Sequence, residues 1–94
     1  MTTQSPMTSK RALHIYSVEV EQWWDGAGDT DQMLSAREWL EGRFEQLGAD
    51  DLARLRALDA QVMKLAAQFP VAGSWDVSML KQTAVIAARH CVSA

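Results

Sequence analysis

Residues 50–69 read DDLARLRALDAQVMKLAAQF. Leu55, Leu58, Val62, Leu65 and Phe69 recur at alternating intervals of three and four, the period of one helix face. The seam runs for about four turns and resembles one strand of a coiled coil. Asp50 and Asp51 suit the positive end of such a helix, and Pro70 and Gly73 stop it. A strand has no use for this period. The chain is therefore read as all-α, a small bundle of about four helices.

The next stretch, residues 75–92, reads WDVSMLKQTAVIAARHCV and carries only Asp76, Lys81 and Arg89 as charged residues besides His90. Ser74 is its expected N-cap. At about 100° per residue, Val77, Leu80, Ala84, Ala87, Ala88 and Cys91 gather on one side, which Val85 and Val92 extend. Met79, Thr83, Ile86 and His90 form a second side. Only Ser78, Gln82 and Arg89 make a polar strip. A helix apolar nearly all round belongs in an interior. The third-helix seam accounts for the first side. The second has no obvious taker within one chain, so Met79, Thr83, Ile86 and His90 are the expected contact strip, and a homodimer through this helix is expected.

Two earlier helices complete the bundle. Residues 10–24 place Leu13, Tyr16, Val20 and Trp23 or Trp24 on one face, capped by Thr8 or Ser9, with Ile15 and Val18 opposite. A strand is the rival reading here, because residues 16–21 (YSVEVE) alternate. The glycine pair at Gly26 and Gly28 breaks the period. Thr30 then caps a second helix over 31–47, striped by Met33, Ala36, Leu40, Phe44 and Leu47 and closed by Gly48. Trp39 lies off that stripe beside Ser35, Gly42 and Gln46. Packing inside the monomer and a role as an exposed anchor are both open to it. Leu34, near Glu38, Glu41 and Glu45, is expected on the solvated face as a second candidate contact. Trp23, Trp24 and Trp75 are expected to close the ends of the bundle.

Composition limits the function. The chain has 94 residues, 48% of them hydrophobic, and a net charge of −3. That is one domain, read as a polar leader over 1–8 and a helical domain over 9–94, and too apolar for disorder. Its one cysteine, Cys91, allows no intrachain disulfide. The polar first ten residues have no apolar signal core, and no apolar run reaches the length of a membrane span. A cytoplasmic setting is the expectation. Charge is divided unevenly. Residues 25–51 carry eight acids against Arg37 and Arg43, whereas residues 52–94 carry five bases against Asp59 and Asp76. Such asymmetry suits a protein partner and not DNA, which needs a clustered basic face. A helix-turn-helix around Gly48 fails because Asp50 and Asp51 would meet phosphate.

The chemical motifs are weak. His90 and Cys91 diverge on a helix and sit at its C-terminal end, where nothing activates a thiol. Together with His14 they lack the spacing of a metal site. The acids at 25–31 lack the glycine and closing glutamate of a calcium loop. Glu38, Glu41 and Glu45 read as a solvated row. No enzyme activity, metal or cofactor is expected, and the expected role is that of a protein-interaction module.

The alanine- and arginine-rich run from Arg54 to Ala60 (RLRALDA) has the look of a high-GC bacterium. In size and helix layout the chain is similar to small bacterial antiactivators that bind quorum-sensing regulators of the LuxR type. The resemblance implies a transcription factor as partner, held through the tryptophan-bearing second helix or the apolar last helix in competition with the regulator's own dimer contacts. The alternative expectation is a helical secretion chaperone or assembly subunit that shields an apolar client segment.

Overall fold

A computed structural model describes residues 7–24, 29–69 and 73–91, without the side chains of Trp24, His90 and Cys91. It contains four α-helices: α1 (Ser9–Trp24), α2 (Thr30–Leu40), α3 (Ala49–Ala67) and α4 (Trp75–Cys91). A short 3₁₀ turn, Phe44–Gln46, lies between α2 and α3. No strand occurs among the described residues, so residues 16–21 are helical despite their alternation. Most of the expected leader lies outside the described residues.

The helices close a ring in which α1 packs on α2, α2 on α4, α4 on α3, and α3 more thinly on α1. The α1 stripe of Ala12, Leu13, Tyr16 and Val20 is buried, as are Leu55, Leu58, Val62 and Leu65 of the α3 seam. Each fully buried leucine of this kind contributes on the order of 2 kcal/mol. Phe69 closes one end, its ring meeting that of Trp23 edge-on at 6.2 Å and 82°.

Local chemistry sets the boundaries. Thr8 Oγ1 accepts from the Arg11 amide, and Ser74 Oγ from the Val77 amide. The cap of α2 is Asp29, whose carboxylate accepts from the amides of Asp31 and Gln32. Thr30, expected in that role, is instead buried in the first turn, and its hydroxyl donates to Asp76 Oδ1 at 3.1 Å. This bond ties the start of α2 to the start of α4.

The second helix is shorter than the expected 31–47. It stops at Leu40 because Glu41 turns extended and Gly42 takes φ +81°. That left-handed conformation is cheap only for glycine. Gly48, expected to close α2, is in fact the extended N-cap of α3.

Helix α4 is where the structure most alters the expectation. Its buried centre line is Leu80, Thr83 and Ala87, with Thr83 fully enclosed and its hydroxyl donating to the Met79 carbonyl. Val77, Ala84 and Ala88 flank that line on the α3 side, and Met79 and Ile86 on the α2 side, all half-buried. The two apolar sides inferred from sequence are thus two flanks of one broad interior, because α4 is wedged between α3 and α2. The taker for the second side is α2. Leu34, expected in solvent, is part of that contact at 8% exposure. Trp75, expected to cap the bundle, stands out at 60% exposure.

Candidate interaction surface

A buried charge network and a covered tryptophan are the two features of the core most suggestive of a site, and each is occupied by the fold. Arg37 is wholly buried and makes a bidentate pair with Asp59, Nε to Oδ1 and Nη2 to Oδ2, both at 2.9 Å. Tyr16 donates to Asp59 Oδ1 at 2.7 Å. Burial, and then the neighbouring Asp59 carboxylate, push the Tyr16 hydroxyl far above its ordinary range. The tyrosine therefore stays a donor and offers no proton to chemistry. The ring of Phe44 lies 5.3 Å below the Arg37 guanidinium, and Glu41 Oε2 stands 3.9 Å from Nη1. These contacts pin α1, α2 and α3 together.

The second feature is Trp39. It is half-buried and packs on the core as well as lining a shallow apolar pocket of about 340 Å³ with Ile15 of α1 and with Met7. Arg43 covers it, the guanidinium 4.3 Å from the ring centroid and Nη1 donating to the Trp39 carbonyl. Such a stacked cation holds the ring in place.

What remains open is the outer face of α4. Val85 is 58% exposed, which is high for a branched apolar residue in mid-helix. It sits on a crest between two grooves. The α3/α4 groove, about 440 Å³, is walled by Met63 and Ala67 on one side and by Lys81, Ala84 and Ala88 on the other. The α2/α4 groove, about 250 Å³, runs between Leu34 and Glu38 and the α4 residues Gln82, Ile86 and Arg89.

The expected contact residues divide accordingly. Ile86 and Leu34 meet in the α2/α4 groove, whereas Thr83 is sealed inside and Met79 is half-buried. Trp39 lies apart, in its own pocket. His90 lies in α4 with its side chain outside the described residues. Val85 and Met63 were missed as surface residues. The helical wheel did contain the signal for Val85, which lies about 140° from Leu80. Nothing in sequence marked Met63.

Among the described residues, no group of three or more His, Cys, Asp or Glu side chains could hold a metal ion, and no helix is long and apolar enough to cross a membrane. No family model, curated protein or solved structure matches the chain.

Proposed function

We propose that this protein acts without catalysis, as an interaction module that binds another protein through the crest of α4 and its flanking grooves. The observation that carries the reading is Val85, 58% exposed on a crest between the apolar α3/α4 groove and the mixed α2/α4 groove. Val85 is continuous with Met63, Ala67, Ala84 and Ala88 across the α3/α4 groove, and contiguous exposed apolar surface marks protein contacts. The partner class favoured by the resemblance is a transcriptional regulator, which the module would keep from its active assembly. A secretion chaperone is the second reading. The alanine floor of the α3/α4 groove favours it, since small side chains admit an extended or helical client segment closely.

A photo-crosslinking residue placed at position 85, and in a second variant at the exposed His14 of α1, tests the proposal in native cells. Adducts are expected from position 85 and not from position 14. Equal labelling, or labelling from position 14 alone, would contradict it. Trimming the captured partner then separates the two readings, because a chaperone holds a short segment and a regulator is held as a folded domain.

A further inference from the structure

Resting on that interaction role, we propose that the α3/α4 groove receives an amphipathic helix whose apolar stripe is bordered by Asp and Glu. Charge complementarity identifies this occupant. Along α3 after Asp51 and along α4 after Asp76, the only acid is Asp59, which is buried and held by Arg37. The cations on the same stretches face outward. Lys81 lines the groove and Lys64 follows Met63 on the exposed side of α3, whereas Arg89 lies across the crest in the α2/α4 groove beside Glu38. An apolar trough with basic edges fits an apolar stripe with acidic edges. Its floor of Ala66, flanked by Ala84 and Ala88, lets a helix lie close, and Met63 supplies an adaptable wall.

A second copy of the chain fits this surface poorly. In an antiparallel α4 pair centred on Val85, position 81 of one copy meets position 89 of the other. Lysine then opposes arginine, and like charges disfavour the pairing. The acidic α2 of a second copy is no better occupant, since Met33, Leu34, Ala36 and Leu40 are already buried in its own core. Nucleic acid is disfavoured by the apolar floor between the cations, where phosphate contacts would need a continuous basic track.

The test uses three fluorescein-labelled helical peptides and the full chain, read by fluorescence anisotropy at low and high salt. One peptide carries a leucine stripe bordered by glutamates, one the same stripe bordered by lysines, and one the glutamates with the stripe replaced by serine. The glutamate–leucine peptide is expected to bind about tenfold more tightly than its lysine counterpart, the scale of a few exposed ion pairs acting together. Its advantage should shrink with salt. Lys64→Glu with Lys81→Glu should reverse the preference, and Val85→Asp should remove binding of both. Equal binding of the two charged peptides, or a preference that survives the double substitution, would overturn the proposal. If neither peptide binds while position 85 still crosslinks to a partner, the acidic-helix inference falls and the interaction role stands. If light scattering finds a dimer that Val85→Asp splits, a second copy fills the groove and the inference also falls.

Discussion

The corner where α1, α2 and α3 meet and the crest of α4 handle polarity in opposite ways. At the corner, a full charge pair is buried and both carboxylate oxygens of Asp59 are engaged by Arg37, with Tyr16 added on one of them. On the crest, an apolar side chain is left in water, with Lys81 to one side and Arg89 and Glu38 to the other. Burying a charge pair is costly unless its geometry is close to complete. Leaving valine exposed costs little but invites contact. The corner specifies the fold, whereas the crest is free to serve something else.

The corner is most vulnerable at Asp59. Asp59→Ala leaves the Arg37 guanidinium buried without its carboxylate, and about 3–5 kcal/mol of stability should be lost. In a domain of this size that is a large share of the total. A urea midpoint that barely moves would remove the corner from its assigned role.

A smaller loss is expected within α4 itself. Leu80→Ala opens a cavity on the buried line and should cost about 3 kcal/mol, whereas Val85→Ala should change the unfolding free energy by less than about 0.5 kcal/mol. Denaturant curves of the two variants check the assignment of inner and outer faces. Similar losses at both positions would mean that α4 is rotated from the arrangement described.

Tyr16→Phe comes next, at about 1.5 kcal/mol, for a hydrogen bond to a charged acceptor. It also predicts a pH effect. The hydroxyl's folded pKa is raised above the unfolded value of about 10. Its stabilising contribution is therefore full below about pH 10 and declines as pH rises beyond it, because the unfolded chain gives up the proton first. One proton corresponds to a slope of about 1.4 kcal/mol per pH unit. Tyr16→Phe should lose that part of the alkaline decline. Tyr16 is the single tyrosine of the chain, so phenolate absorbance follows this one group, and an ordinary titration near pH 10 in the folded protein would contradict the buried network.

Much of this architecture is written in period and punctuation. The 3-4 spacing from Leu55 to Phe69 predicts α3 and its buried face, and the serine and threonine ahead of α1 and α4 predict their caps. The end of α2 was not legible. Gly42 and Gly48 both lie within reach of the apolar stripe that ends α2 on paper, and only the observed backbone reveals that Gly42 takes the left-handed turn. The Arg37–Asp59 pair was hidden as well. Two charges on different helices, 22 residues apart, read as solvated until tertiary packing brings them together. For the candidate surface, the apolar character of α4 was plain, but its orientation depended on α2 lying against it. Without that neighbour, Met79, Thr83 and Ile86 looked uncovered. With it, the open position moves round the helix to Val85.

The smallest structural effect carries the largest functional one. Val85→Asp places a charge where water already reaches, so thermal unfolding should match that of the unaltered chain while capture of the partner is lost. Capture of the partner by Val85→Asp, measured beside the unaltered chain, is the most direct test. Loss of capture with the fold intact is the expected result. Undiminished capture would contradict the assignment of the α4 crest as the working surface.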